Sequence, residues 1–564
     1  MSKNEQRKLR SQEWWNGSTY ENFARRAWLR AEGFTTGAFQ NKPAIGICNS
    51  WSELNNCNAH LRTVAEAVKR GVWAAGGFPL EFPTISLGEM FMRPTTMLYR
   101  NLMAMDVEES IRANPIDGVV LLCGCDKTTP AQLMGAASAD IPAIVVPGGP
   151  MLSGQWRDRR LGSGTDGRKL FDLFRTGRLT EEEWSEIEGG ISRSAGHCTV
   201  MGTASTMTSL AEALGMTLTG CANIPAPDSR RLSMAELSGR RIVEMVQEDL
   251  RPSQIMTREA FENAITVDMA IGGSTNAVVH LIAIAGRLGI KLELDDFDAI
   301  SRRTPWIVNV KPSGEFLMED FFYAGALPAV MKEIGALLHS DALTVTGRTI
   351  AENIARAECN RREVIRTAAE PLHAEGGTVI LRGNLAPDGA VLKQTAASPR
   401  LLQHRGRAYV FETYEQMRAE IDRDDLPLDK DSVLVMKNCG PKGAPGFPEW
   451  GHIPMPRVLL NQGIDDVVRI SDARMSGTSF GTVVLHVAPE SAVGGPLNAV
   501  RTGDEIELDV SRRRLELHVP ADQMRKRLSE FSPHAPAYAR GYGRLFLEHV
   551  TQANLGCDFD FLMK

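Results

Sequence analysis

The segment Cys123-Gly124-Cys125-Asp126-Lys127-Thr128-Thr129-Pro130 puts soft thiols, a hard carboxylate and a lysine within one turn-sized stretch. Thiolates favour iron or zinc, and carboxylate oxygens favour magnesium or calcium. Their mixture predicts two different inorganic centres side by side. Four further segments carry comparable chemistry: Cys57 to His60, Ser194-Ala195-Gly196-His197-Cys198, Gly272-Gly273-Ser274-Thr275-Asn276, and Asp472-Ala473-Arg474-Met475-Ser476-Gly477-Thr478. No CxxC pair occurs, which speaks against a zinc ribbon or a thioredoxin-like site. Any cluster must therefore be assembled from distant segments.

The elements that position these residues alternate strand and helix in the first half. Ala44 to Cys48 is an apolar strand, followed by a helical pattern from Ala59 to Ala75. Another helix runs from Thr96 to Ala113 and stops at Asn114-Pro115. The run Val119-Val120-Leu121-Leu122 has the continuous apolarity of a strand buried on both faces, and Ile141 to Val146 repeats it. This rhythm predicts a parallel sheet with crossover helices. Helical periodicity then covers Cys198 to Leu214, Ser233 to Asp249 and Arg258 to Leu288; Asp158 to Asp166 reads as a surface loop and Leu179 to Glu188 as a solvated helix. Composition shifts near residues 369–375, and short β-type runs punctuated by Gly and Pro follow. The expectation is an α/β protein: a large N-terminal parallel-sheet domain at 1–370 and a smaller, mainly β, barrel-like C-terminal domain at 371–564, closed by two final helices.

In this reading Cys57, Cys125 and Cys198 each lie at, or a few residues before, a helix start, Cys198 opening its own helix. A helix N-terminus carries partial positive charge and free N–H groups, which lower a thiol pKa and favour the thiolate a metal needs. The plainer alternative for each is a buried structural cysteine. That is the reading for Cys48, Cys123, Cys221, Cys359, Cys439 and Cys557.

The chain has 564 residues, too many for one ordinary core, with 43% hydrophobic and 23% charged residues. A net charge of -6 excludes the usual basic nucleic-acid binder. No apolar run reaches the length that spans a bilayer, and Met1 to Trp15 lacks an apolar signal core. Nine cysteines, an odd and scattered set, make a poor disulfide framework. Together these predict a soluble cytoplasmic enzyme without membrane or nucleic-acid partners.

Cys-Asp-Lys-Thr-Thr-Pro, Ala-Gly-His-Cys-Thr-Val-Met-Gly-Thr-Ala-Ser-Thr-Met, Gly-Gly-Ser-Thr-Asn-Ala and Asp-Ala-Arg-Met-Ser-Gly-Thr resemble the motifs of the iron–sulfur dehydratases that include dihydroxy-acid and 6-phosphogluconate dehydratase. The match runs in family order from about Asn49 to Pro489. Thr128-Thr129-Pro130 resembles the sugar-acid branch, such as arabinonate and xylonate dehydratases; branched-chain enzymes usually carry Asn and Met at the two threonines. The resemblance implies a [2Fe–2S] cluster, with [4Fe–4S] as the alternative, held by Cys57, Cys125 and Cys198. It implies Mg2+ held by Glu89, Asp126, Lys127 and Glu449. A lysine ammonium has only donors and cannot ligate a cation, so the family resemblance also implies carbamylation of Lys127. Ser476 would be the catalytic base, Thr478 would orient that base or a substrate hydroxyl, and His197 would support the cluster. Ser274, Thr275 and Asn276 either line the cleft or belong to close helix packing around the two glycines. The reaction implied is loss of water from a 2,3-dihydroxy carboxylate to give a 2-keto-3-deoxy acid, in a homodimer or homotetramer.

Two rivals accompany this reading. One is dihydroxy-acid dehydratase of branched-chain amino-acid synthesis. The other is a cluster-free sugar-phosphate-binding α/β protein using the glycine-rich loops Pro147 to Gly154 and Gly162 to Gly167, which match neither a P-loop nor a GxGxxG pattern.

Overall fold

The computed structural model describes residues 9–533 and 535–564. Residues 1–8, on which part of the reading of Met1 to Trp15 rests, lie outside them. Continuous apolarity in the first half produces the buried sheet it implies. Strands β1 (Ala44–Asn49), β3 (Gly118–Cys123) and β4 (Ala143–Pro147) are buried along their whole length, and β2 (Phe78–Pro83) forms the edge. All pairings are parallel, in the order β2-β1-β3-β4. Helices Leu61–Ala74 and Ser229–Glu248 pack on each other and on this sheet. Helices Arg100–Ala113, Thr128–Ala139, Thr203–Ala213, Arg258–Ile271 and Asn276–Arg287 form a contiguous helical layer that shares the sheet's core.

The strand order matters for chemistry. The chain leaves β1 toward β2 on one side, then returns to lay β3 on the other. Between β1 and β3 the connections diverge, leaving a crevice outside the carboxyl ends of the strands, where ligands bind in open α/β sheets. The loop after β1 carries Cys57, the loop after β2 carries Glu89, and the loop after β3 carries Cys125, Asp126 and Lys127.

In the second half, β7 (Thr378–Gly383), β8 (Ala386–Lys393), β9 (Gln403–Phe411), β10 (Val433–Met436), β11 (Val468–Ser471), β12 (Val483–Ala488), β13 (Glu505–Asp509) and β14 (Arg514–Leu517) close into an eight-stranded barrel. The pairings are mixed: β9, β10, β11 and β12 run parallel to one another and β14 to β7, whereas β7–β8, β8–β12, β9–β13 and β13–β14 pair antiparallel. Val379, Leu381, Val433, Val435, Ile470, Val484 and Leu515 belong to its buried core. Full closure removes the exposed edges of a sheet. The loop after β10 leads to Glu449, and the loop after β11 carries Arg474, Ser476 and Thr478. Helices Ala521–Ser529 and Gly541–His549 follow the last strand, as expected.

Several local expectations need correction. Cys198 does not open a helix; the helix begins at Thr203. The intervening backbone is already committed elsewhere, with Thr199 N–H donating to Ser163 Oγ at 2.8 Å and Met201 N–H to Lys311 O at 2.7 Å. The periodic span from Arg258 to Leu288 breaks into two helices at Gly272, whose φ of 59° ends the first. The loop at 158–166 contains half of a hairpin, β5 (Gly154–Trp156) with β6 (Arg159–Leu161). Helix Glu181–Ile191 is solvated on most sides but buries Ile187 beneath that hairpin. Among the described residues no helix is long and apolar enough to cross a membrane.

Candidate functional site

Cys57, Cys125 and Cys198 come into one neighbourhood: Cys125 lies beside Cys57, and Cys198 is close enough to act on it. Gly124 permits the approach: a Cβ there would stand 2.9 Å from both Cys57 O and Asn58 Oδ1. The third segment is tied in by backbone bonds, Gly196 N–H to Asn56 O at 3.1 Å and His197 N–H to Gly149 O at 3.0 Å. Thr128 Oγ1 accepts from Cys125 N–H at 2.9 Å and fixes the turn into the following helix.

The expected depression of the thiol pKa values is not what this environment produces. The neighbouring Cys125, then burial, hold the Cys57 thiol well above its ordinary range. Burial, then the Asp126 carboxylate, push Cys198 up to about 12. Helix N-termini cannot reverse this, because Cys198 lies outside its helix and desolvation of a fully buried thiolate outweighs a partial charge. The protons would leave only in exchange for a cation.

Beside the thiols lies an acidic cluster. One carboxylate oxygen each from Glu89, Asp126 and Glu449 lies within 4.8 Å of the others. Lys127, with no solvent exposure, sits among them: its Nζ is 3.3 Å from Glu89 Oε2, 3.3 Å from Asp126 Oδ2 and 3.5 Å from Glu449 Oε1. Burial and the nearby Arg474 oppose the ammonium charge, but the three carboxylates outweigh them and raise the Lys127 pKa. Burial lifts Glu89 above the carboxylate range despite Lys127. Glu449 is equally buried, yet Arg474 and Lys127 hold it below that range.

Arg474 is fully buried and was not singled out by residue type. Its Nε donates to Phe447 O at 2.6 Å, Nη1 to Glu449 Oε1 at 2.5 Å and Nη2 to Thr95 Oγ1 at 2.9 Å. Thr96 donates a short hydrogen bond to Glu89. Neither threonine carries a local sequence signal. Arg474 lies inside the Asp-Ala-Arg-Met-Ser-Gly-Thr motif, and only its burial reveals the role.

Ser476 is half-buried, with Oγ 3.0 Å from Thr478 Oγ1. Its loop lies against the start of helix Thr203–Ala213, so close that a Cβ on Gly477 would be 2.4 Å from Thr203 N. The partial positive charge of that helix end faces the loop. Asn276 Nδ2 reaches Met475 O at 3.0 Å, Thr203 Oγ1 at 2.9 Å and Glu449 Oε1 at 3.5 Å, bridging the serine loop and the acids. Ser274 Oγ pairs with Thr203 Oγ1 at 2.9 Å. Both expectations for this motif meet here, since the glycines pack tightly and Asn276 faces the acids. His197 Nδ1 lies 3.1 Å from Cys198 O, and burial lowers its pKa to about 3, so the ring is neutral. The glycine-rich loops proposed for phosphate are filled by protein: a Cβ on Gly149 would be 2.1 Å from Ile224 O, and one on Gly164 would be 2.4 Å from Thr478 Oγ1.

Known proteins resemble the chain along nearly its whole length. The chain is 56% identical to an L-arabinonate dehydratase of Rhizobium leguminosarum bv. trifolii over 99% of its own length and 96% of the relative's. It is 50% identical to a 6-deoxy-6-sulfo-D-gluconate dehydratase of Pseudomonas putida, over 98% and 96%. Identity to a dihydroxy-acid dehydratase of Caldicellulosiruptor saccharolyticus is 40%, over 95% and 98%. Residues 42–353 match the model of the dihydroxy-acid/6-phosphogluconate dehydratase N-terminal region, and residues 363–557 that of its C-terminal region. With both models matched in order across the two halves that build the site, the chain belongs to the dihydroxy-acid/6-phosphogluconate dehydratase family.

Proposed function

We propose that this protein is a sugar-acid dehydratase that removes water from a 2,3-dihydroxy carboxylate such as L-arabinonate or D-xylonate and yields a 2-keto-3-deoxy acid. The observation that carries the reading is the gradient of similarity: relatives named for sugar-acid substrates stand at 50 to 56% identity, and one named dihydroxy-acid dehydratase at 40%. Thr128-Thr129 after the Asp-Lys pair supports the same branch.

The donor sets suit two inorganic groups. Cys57, Cys125 and Cys198 would hold an iron–sulfur cluster, [2Fe–2S] in this proposal, and three thiolates leave one iron position free. Glu89, Asp126 and Glu449 would hold Mg2+, an ion that takes oxygen ligands. As an ammonium, Lys127 offers these acids positive charge only. As a carbamate it would add a fourth oxygen donor and leave the cluster anionic enough to require a divalent cation. When bound, the two groups would supply Lewis acidity at the substrate carboxylate, the C2 hydroxyl and the departing C3 hydroxyl.

The chain's own residues carry the proton. Ser476 takes it from C2; the C–H electron pair forms the C2–C3 double bond as hydroxide leaves C3. That hydroxide takes the abstracted proton back from Ser476 to leave as water, which restores the base, and the enol tautomerises to the keto acid. Thr478 orients Ser476. His197, neutral and buried, supports the Cys198 segment without exchanging protons near neutral pH.

The division into 1–370 and 371–564, the cytoplasmic location and a homodimer or homotetramer belong to the same proposal. The first barrel strand starts at Thr378, which supports the boundary. The exposed Tyr20, Phe23 and Trp28 on helix Tyr20–Ala31 support self-association.

The test is anaerobic purification with iron and sulfide analysis, followed by a panel of pentonates, hexonates and dihydroxyisovalerate assayed for 2-keto acid. The expected result is a coloured protein that turns over a sugar acid fastest; Cys125→Ser should lose colour and activity together. Faster turnover of dihydroxyisovalerate would move the protein to the branched-chain side. A colourless, iron-free and fully active protein would end the cluster proposal. Carbamylation of Lys127 is checked by a carbamate carbon signal after exchange with labelled bicarbonate, absent in Lys127→Arg.

A further inference from the structure

Arg168 lies in the first turn of helix Thr165–Arg175, in the N-terminal half of the chain, yet it reaches the serine loop of the barrel. Its Nη1 donates to Thr478 Oγ1 at 2.6 Å and to Gly164 O at 3.2 Å. A guanidinium has five donors and no acceptor, whereas a threonine hydroxyl has one proton and two lone pairs. Thr478 Oγ1 must therefore accept from Arg168, and its own proton is available for another oxygen. Ser476 Oγ stands 3.0 Å away, and Thr478 N–H faces the same oxygen at 3.4 Å. When Ser476 is deprotonated, as a base must be, it has no proton to give, and the chain of donors then runs in one direction, from guanidinium to threonine to serine.

The surrounding structure holds this chain rigid. Thr165 Oγ1 donates to Thr478 O at 2.7 Å. Gly164, at φ 80°, has no room for a side chain because Thr478 fills the space. Asp166 Oδ2 accepts from Gly162 N–H at 2.6 Å and from Lys311 Nζ at 2.6 Å, pinning the turn that carries Arg168. Burial lowers the guanidinium's pKa, and Glu449 and Cys198 lie within its electrostatic reach.

We propose that Arg168 is a positioning residue for the dehydration, acting through Thr478: it orients the threonine hydroxyl as a donor to Ser476 and so stabilises the serine alkoxide that takes the C2 proton. The inference rests on the reading of Ser476 as the base. In the step itself the C2–H bond breaks, its electron pair passes into the C2–C3 double bond as hydroxide leaves C3, and a new O–H bond forms on Ser476. Negative charge thereby leaves the oxygen that Thr478 and Arg168 support. A charge-assisted hydrogen bond at the far end of the chain strengthens the near one.

The experiment compares the holoenzyme with Arg168→Gln, Arg168→Lys, Thr478→Val, the Arg168→Gln/Thr478→Val double variant and Ser476→Ala. Turnover of the best sugar acid, its C2-deuterated form and iron content are measured for each. Loss of a positioned donor predicts a kcat lower by roughly 100-fold in Arg168→Gln, with KM changed by less than about 3-fold. Iron content should stay at the wild-type level, the deuterium effect on kcat should grow, and Arg168→Lys should recover part of the rate. Because the two residues act in series, the double variant should be no slower than the slower single variant. A wild-type kcat in Arg168→Gln, a loss confined to KM, or losses that multiply in the double variant would each overturn the proposal. Should Arg168→Gln fail to fold, shown by lost iron, Arg168→Lys against Thr478→Val decides on the same criteria. Wild-type turnover by Ser476→Ala would instead sink the reading of the base, whatever Arg168 does.

Discussion

Replacing Arg474 by methionine isolates the buried charge balance of the site. The side chain is fully buried and spends its donors on Phe447 O, Glu449 Oε1 and Thr95 Oγ1. It also lies 3.7 Å from Glu89 Oε1. Methionine keeps much of the aliphatic volume but leaves those acceptors, and one buried carboxylate, without their cation. Two bounds set the magnitude. Hydrogen bonds to charged groups contribute about 1.5 to 3 kcal/mol each, so a plain sum over three bonds gives about 4.5 to 9 kcal/mol. Removing one partner of a buried ion pair costs about 3 to 5 kcal/mol, because the stranded acid can take up a proton instead. The second bound governs here, since Lys127 still faces Glu449 at 3.5 Å. The sign with pH follows from Glu449, whose folded pKa is depressed mainly by Arg474 against the cost of burial. Its stabilisation is present above the unfolded value and fades as pH falls through the folded one. The variant should therefore be about 3 to 5 kcal/mol less stable than wild type at pH 7, and the gap should narrow at acid pH, below the unfolded carboxylate range and through Glu449's depressed folded value. Urea unfolding of the metal-free proteins at the two pH values measures both, with Arg474→Lys expected in between. A deficit under about 1 kcal/mol at pH 7, or one that does not shrink in acid, would refute the reasoning.

Two other buried groups predict measurable pH effects. Glu490 accepts from Lys442 N–H and Gly443 N–H and from Gln552, yet burial, then Asp472, raise its pKa to about 7. A raised acid stabilises the fold fully below its unfolded pKa and loses that contribution as pH climbs through the folded one. Glu490→Gln should therefore remove about 3 kcal/mol of the decline in stability between pH 4.5 and 7, read as a flatter urea-midpoint profile; an unchanged slope would contradict this. Asp268 and Lys393 are buried without hydrogen-bond partners, and burial, opposed by each other's charge, takes both pKa values to about 8. Asp268→Asn with Lys393→Met should match or exceed wild-type stability by up to about 4 kcal/mol, whereas Lys393→Met alone should lose stability with rising pH; a double variant weaker than both singles would reject the idea.

The parts of the fold legible in the sequence are those decided by short-range patterning. Val119 to Leu122 reads as a doubly buried strand because every side chain is apolar, and the structure buries all of them. Barrel closure was only suggested. It depends on β12 meeting β8, β14 meeting β7 and β13 meeting β9, pairings between remote segments that no local period specifies. The same division holds at the site. Cys125-Asp126-Lys127 announces mixed ligand chemistry because unlike donors are adjacent in the chain. Glu89 and Glu449 are ordinary loop acids by type and gained meaning only from family resemblance. Arg168 and Thr478 are 310 positions apart, and their contact exists only in three dimensions. The helix expected at Cys198 failed for a related reason: Ser163 and Lys311, both distant in sequence, hold the backbone that local propensity would have coiled.

The two halves of the chain supply different parts of the proposed chemistry, and their docking is therefore a functional variable. The parallel sheet brings Cys57, Cys125, Asp126 and Lys127 to the ends of β1 and β3, where diverging connections leave a crevice. The barrel contributes Glu449 and Ser476 from the loops after β10 and β11. Neither half alone could both hold the acids and remove a proton beside them. Of the bonds that cross between the halves, four cluster on the serine loop and its flanks: Arg474 to Thr95, Asn276 to Met475 O, Thr165 to Thr478 O and Arg168 to Thr478. A rigid interface placed there fixes the base relative to the thiols and carboxylates to within hydrogen-bond tolerances, which is the positional accuracy that proton abstraction demands. Substitutions at these crossings should then lower turnover before they lower stability, because a hydrogen bond can lengthen slightly at small energetic cost while a misplaced base loses its reaction geometry.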